Sequence, residues 1–172
     1  MKKLIAVLAV AFTVFSAKAR DPYDMYPIQV SLFPRLQIFD EDVHITGLKL
    51  NLICGYNTAV SGFDLGLFSG ANDFEGIQLN LVNYVAENAS GIRLSLVNLC
   101  DNAEGIEIAP VNYASVGADG LRIGLVNVTD ESKGVQIGLI NYTKFMRGIQ
   151  IGLINIIAES KVSCLPILNV HF

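Results

Sequence analysis

The chain reads as an all-β repeat protein, a β-solenoid of about nine coils of 14–15 residues. Three observations predict it. An eight-residue phrase, GVQIGLIN at 134–141 and GIQIGLIN at 148–155, recurs in looser form along most of the chain. Units opening at Gly47, Gly62, Gly76, Gly91, Gly105, Gly120, Gly134, Gly148 and Val162 follow one another at steps of 14 or 15 residues. Inside each unit apolar residues alternate with polar or small ones, the period of a strand with one buried face. Self-similarity at a fixed short period marks stacked architectures.

In chain order, residues 1–19 carry the pattern of a secretory signal peptide. Lys2 and Lys3 form a basic start, Leu4 to Phe15 an apolar run, and Ala17-Lys18-Ala19 an A-x-A cleavage site. The apolar run is too short for a bilayer-spanning helix. Its removal leaves nine basic against sixteen acidic residues. Residues 20–46 form an N-terminal capping segment. It holds one strand between Pro27 and Pro34 and an acidic turn, Asp40-Glu41-Asp42, whose spacing does not fit a calcium loop. Residues 47–172 are the repeat domain.

Each unit has fixed columns. The first is Gly, suited to a corner that needs a positive φ. The second, fourth and sixth are apolar, as in Ile149, Ile151 and Leu153, and the seventh is apolar too. The third is polar and the fifth small. The eighth is asparagine in seven successive units, Asn83, Asn98, Asn112, Asn127, Asn141, Asn155 and Asn169. Parallel in-register stacking turns each column into a file. The apolar columns are expected to make a continuous core. The asparagines are expected to form a structural ladder of amides, as in cross-β stacks. Column three then sets Arg93, Glu107 and Arg122 side by side. Pro110, in column six, lacks a ladder donor and predicts a local irregularity.

A ten-stranded antiparallel outer-membrane β-barrel is the alternative. Nine units and the early strand give an even strand number, and the chain closes on an alternating apolar tail with Phe172. Three points oppose it. Alternate strands of a barrel would place the asparagines at opposite rims. All the connections are alike, whereas membrane barrels alternate short turns with longer loops. The charges of column three alternate in a way that suits parallel neighbours.

Composition narrows the function. Of 172 residues, 52% are hydrophobic and 16% charged, and the net charge is −4, which argues against nucleic acid as a partner. The two histidines, His44 and His171, lie at opposite ends, so neither a catalytic triad nor a metal-ligand cluster can be drawn. The glycines do not form a phosphate loop. No catalytic, cofactor-binding or metal site is assigned, and no cofactor is implied. Cys54, Cys100 and Cys164 fall in distant units, too far apart for disulfides, and are expected as free thiols. Tyr84, Tyr113 and Tyr142 recur in column nine, where packing at a corner is expected over an aromatic binding stripe. Column five, with Gly66, Asn80, Ser95, Ala109, Gly124, Gly138 and Gly152, is read two ways: a smooth docking face or a tight internal corner.

The residues Val30-Ser31-Leu32-Phe33-Pro34, the units GLKLNLICGYN and GFDLGL, the repeated GIQIGLIN and the closing LPILNVHF resemble an uncharacterised, leptospiral-type family of bacterial surface-repeat proteins. The chain departs from the pattern at Cys54 and Ser69, where asparagine is expected, and at Pro110. The resemblance implies an exported protein of the bacterial cell surface, outer membrane or periplasm, and it supplies no catalytic residues. The functional expectation is a non-enzymatic surface or envelope repeat protein with a structural or binding role. Its partner would be an unidentified protein or surface ligand, with outer-membrane association and self-association as further readings.

Overall fold

The computed structural model describes residues 25–171. The expected signal peptide at 1–19 lies outside them. The described chain is all-β, with one eight-stranded sheet wound into a β-solenoid in the order β2-β1-β3-β4-β5-β6-β7-β8. The strands are β1 (Met25–Phe33), β2 (Leu36–Gln37), β3 (His44–Leu94), β4 (Val97–Ile108), β5 (Val111–Ile123), β6 (Val126–Ile137), β7 (Ile140–Ile157) and β8 (Cys164–His171). Pairing is parallel from β1 to β3 and onward to β7. Each residue meets its equivalent one unit on: Asn98 opposes Asn112, and Gly120 opposes Gly134. The antiparallel barrel is thereby corrected. The count of coils differs from the expected nine. The body divides into five bounded strands, β3 to β7, because β3 runs 51 residues unbroken around several corners.

The corners explain the glycine column. Gly62, Gly76, Gly91, Gly105, Gly120, Gly134 and Gly148 have φ between 112° and 142°, a region L side chains rarely adopt. A Cβ on Gly120 would also press into the carbonyl oxygen of Gly105 on the rung below. Glycine is required here twice over, for backbone and for stacking. The 15-residue units carry their extra residue as a bulge in the return segment, as between Val85 and Asn88 or Ala114 and Gly117.

A second bend falls between columns five and six, at Ser95-Leu96, Ala109-Pro110, Gly124-Leu125 and Gly138-Leu139. This is why Pro110 produces no irregularity of its own. The carbonyl of Leu125 accepts from both Leu139 and Ile140, each at 2.9 Å. Two rungs lower the carbonyl of Leu96 takes only Val111, at 3.3 Å. Proline therefore removes half of a shared bond at a bend already present.

Both ends depart from expectation. β1 belongs to the expected cap, yet it is a rung itself, with Gln29 opposite Lys49 and Ser31 opposite Asn51. The hairpin to β2 and the loop to Val43 close over it. Tyr26 and Phe39 stack at 3.8 Å, and Gln29 exchanges two hydrogen bonds with the backbone of Phe39, at 3.0 and 3.1 Å. At the far end the unit opening at Val162 does not stack in parallel. β8 runs antiparallel to β7, with Gln150 opposite Asn169 and Ile151 opposite Leu168. The physical reason is column one. Valine does not take the positive-φ corner that seven glycines take, so the chain turns back through 158–163, with Ile157 N–H donating to Ser163 O at 2.8 Å.

Candidate binding face

Inside and outside are reversed relative to the sequence expectation. Columns three, five and eight point inward and the apolar columns outward. Gln78, Gln136 and Gln150 are completely buried, as are six of the asparagines expected to form the ladder, Asn83, Asn98, Asn112, Asn127, Asn141 and Asn155. In column six Leu52, Leu67, Leu81, Leu96, Leu125, Leu139 and Leu153 are between 42% and 66% exposed. Columns two and four add Ile92, Leu94, Ile106 and Ile108, and column seven adds Val111, Ile140 and Ile154. The expected apolar core is an outer face.

Coil width accounts for the reversal. Small column-five residues bring the backbone close to the asparagines and leave little room for branched aliphatics. A Cβ on Gly138 would stand 2.8 Å from Asn127 Nδ2 and 2.9 Å from Asn141 Oδ1. Column five is thus the tight internal corner, not a smooth outer surface. The buried apolar residues line the opposite inner wall, and toward the middle of the rod they are small: Ala71, Ala89, Ala103, Ala114 and Ala118 around Val60, Phe74, Val85 and Cys100.

The asparagine file is continuous from Asn83 to Asn155. Each Nδ2 donates to the Oδ1 of the next asparagine: 2.9 Å from Asn83 to Asn98, Asn98 to Asn112 and Asn112 to Asn127, then 2.8 Å from Asn127 to Asn141 and Asn141 to Asn155. All five bonds point the same way, so their dipoles reinforce one another. Asn80 feeds the first acceptor at 2.7 Å, and Asn155 discharges onto the carbonyls of Gly152 and Leu165 at 3.0 and 3.2 Å. Asn169 is not in this file, since the reversal of β8 sets it opposite Gln150. Below Asn83 the departures at Cys54 and Ser69 have a replacement. Asp64 gathers Asn51 at 2.7 Å, Gln78 at 3.1 Å and the hydroxyl of Ser69.

Column three buries an ion triad that sequence reasoning placed side by side but not inside. Glu107 lies between Arg93, through Nη2 to Oε1, and Arg122, with Nε 2.6 Å from Oε2. Burial disfavours the charge on Glu107, but the two guanidiniums outweigh it and hold its pKa below the ordinary carboxylate value. Burial likewise opposes the charge on Arg93, and Glu107 and Cys100 outweigh it and raise its pKa. Burial lifts the thiol pKa of Cys100, against the pull of Arg93, whose Nη2 sits 3.1 Å from the sulfur. Lys49 is buried with Nζ donating to the Gly70 carbonyl at 2.7 Å, and burial lowers its pKa to about 8 against the pull of Asp64.

The remaining sequence candidates fall apart in space. Tyr84 pairs with Leu99 and Tyr113 with Leu99 and Val128, so the tyrosines occupy alternate rungs with aliphatics between them. His171 bonds the Met146 carbonyl through Nδ1 at 2.9 Å, far along the array from His44. Cys54, Cys100 and Cys164 are free thiols: half-buried, buried and exposed. An open cleft of about 780 Å³ near β8 is lined by Lys133, Lys144, Arg147, His171, Glu131 and Glu159. Lys133 and Lys144 there are turned to Asp119 and Asp130, at 3.2 and 2.6 Å. A shallow trough of about 360 Å³ on the apolar face runs between Leu67, Leu81 and Leu96. Compared with known proteins, the chain matches no family model, no curated protein and no solved structure.

Proposed function

We propose that the chain is a non-enzymatic, exported surface or envelope repeat protein, a rigid rod whose work is done by its outer apolar face. The observation that carries this reading is the reversed patterning. The charged and amide side chains of columns three and eight are consumed in the interior, holding rungs together. What the rod offers outward along columns two, four, six and seven is an aliphatic surface that wraps the bend between columns five and six. Contiguous exposed apolar surface of this extent marks association with a protein or a lipid surface. Glu107 is locked between Arg93 and Arg122, Asp64 is held by Asn51, Ser69 and Gln78, and Lys133 and Lys144 in the cleft near β8 are turned to Asp119 and Asp130. The basic start, apolar run and A-x-A site at 1–19 support export, as does the resemblance to surface-repeat proteins.

Fractionation of cells producing the full chain tests the reading. The expected result is a protein shortened by about 19 residues in the envelope or periplasmic fraction, where an A-x-A site is cut. An unprocessed chain held in the cytoplasm, or substrate turnover by the purified protein that a face substitution leaves intact, overturns it. Outer-membrane association is the second reading, favoured by the aliphatic character of the face. It predicts recovery with outer-membrane vesicles that survives a high-salt wash.

A further inference from the structure

We infer that the side of the rod carrying column nine is a platform for an extended, uncharged β-1,4-linked polysaccharide, separate from the aliphatic surface. Four of the six tyrosines stand there in one file. Tyr84, Tyr113 and Tyr142 alternate with Leu99 and Val128 through the parallel pairing. Tyr56 extends the file: Gly70 stands one unit before Tyr84, and a Cβ on Gly70 would press into the Tyr56 ring. Tyr84 and Tyr113 are 47% and 44% exposed, and Tyr56 and Tyr142 are half-buried, so packing at a corner does not consume them.

The period selects the ligand. Tyrosines on alternate rungs stand ~9.6 Å apart, twice the ~4.8 Å strand spacing. In a β-1,4-linked glycan successive rings are turned over, so every second ring presents the same face, and this two-ring repeat is close to the tyrosine step. One sugar in two can lay its C–H face on a tyrosine, with Gly70, Leu99 and Val128 beneath the rings between. An extended polypeptide laid along the file repeats a face every ~6.7 Å and is out of step by the second tyrosine. A polyproline helix, at ~9.3 Å per turn, is nearly in step, but it seats in aromatic-lined grooves, and these tyrosines stand in single file. The polar neighbours agree. Column eleven, two residues on and on the same side, supplies partners for sugar hydroxyls in Asn72, Asp101, Ser115, Asp130 and Lys144. Lys144 is paired with Asp130 at 2.6 Å, Ser115 donates to Asp101, and the Tyr56 hydroxyl donates to Asn72. A row of two acids and one base, on a chain of net charge −4, holds no attraction for a polyanion, so the glycan is an uncharged one.

Calorimetric titration and tyrosine fluorescence of the purified chain, with cellohexaose and chitohexaose as ligands, test the platform. The chain has no tryptophan, so its emission reports the tyrosines. Saturable, salt-insensitive binding of at least one hexamer is expected, because each is long enough to reach Tyr84, Tyr113 and Tyr142 together. Cellobiose and chitobiose reach a single tyrosine and are expected to bind about tenfold more weakly or worse. Tyr113→Ala, with an unchanged circular dichroism spectrum, is expected to lose about tenfold in affinity or more, while Tyr113→Phe keeps the ring and stays within about threefold of wild type. Should Tyr113→Ala misfold, Tyr84→Ala takes its place at an equally exposed position. Leu125→Glu, on the aliphatic surface, is expected to bind as wild type does. A folded wild type that binds neither hexamer, disaccharides that bind as tightly as hexamers, or a folded alanine variant of unchanged affinity overturns the inference. So does loss of binding in Tyr113→Phe or Leu125→Glu, or a proline-rich peptide that binds in place of both hexamers. Each of these leaves the export and the aliphatic surface standing, and those are decided by fractionation.

Discussion

Asn127 binds Asn141 and the strand beside it with one amide: its Nδ2 lies 2.8 Å from Asn141 Oδ1 and 3.0 Å from the carbonyl of Ile137. Its own Oδ1 accepts from Asn112 at 2.9 Å. The residue therefore closes a rung and joins it to both neighbours. Asn127→Ala leaves these partners without water to replace it, at about 1–3 kcal/mol for each orphaned group. A drop of several kcal/mol in urea unfolding is expected. Asn169→Ala, outside the file, is expected to cost less, and an equal loss would contradict the assignment.

The Arg93–Glu107–Arg122 triad predicts an asymmetry. Glu107→Gln strands two buried guanidiniums and is expected to destabilise by about 3–5 kcal/mol. Replacing all three by glutamine extends the pattern already present at Gln136 and Gln150, where Gln150 Nε2 reaches Gln136 Oε1 at 3.0 Å. The triple variant is expected to recover most of that loss. A triple variant no more stable than the single one would mean that the ion pairs do more than satisfy one another.

The same carboxylate sets an acid limit. The pKa of Glu107 is lowered in the folded chain, because the guanidiniums outweigh burial. Its contribution is fully present above its unfolded value and is lost as pH falls through the lowered one. Thermal melts from pH 6 downward should show wild type and Glu107→Gln converging.

Lys49 gives the opposite trend at high pH. Its folded pKa of about 8 lies below the ordinary 10.5, chiefly through burial. The folded state thus binds fewer protons than the unfolded one between those values, and stability rises with pH across that window. The stability gap between wild type and Lys49→Met should change by about 3 kcal/mol, in favour of wild type, from pH 7.5 to 10.5. A flat gap would show that the ammonium is already well solvated.

Gly120 and Pro110 form a matched test of the corners. Gly120→Ala must place a side chain at φ 123° and against the Gly105 carbonyl, so a loss well above ~1 kcal/mol is expected. Pro110→Leu supplies the missing N–H at a bend the other units already make, and is expected to change stability by less than about 1 kcal/mol. Calorimetric melting of both variants decides it.

The strand period, the parallel register and the asparagine file were legible in the sequence, because each depends only on which residues are equivalent. Direction was not. Alternation assigns Ile149, Ile151 and Leu153 to one face and Gln150 and Gly152 to the other, but it is symmetric about which face is inside. The deciding quantity is the width of the coil, set by Gly138, Gly152 and their equivalents packing against the asparagines. A usable signal was present. Columns three, five and eight are all amide, charged or small, a set able to satisfy itself across a narrow gap. The misplacement of Asn169 has a different origin. Its flanking residues imitate a unit, but Val162 stands where a corner needs glycine, and equivalence of letters hid the loss of that one conformation.

The reversal at β8 has a consequence for growth. A parallel rung is a template for the next parallel rung, and a rod ending on one could recruit strand after strand into a fibre. Here the last edge runs the other way and is kinked at Ile167, which holds φ at 69°. An incoming chain would find a mismatched direction and a distorted edge. Strand-by-strand addition onto the β8 edge is thereby disfavoured.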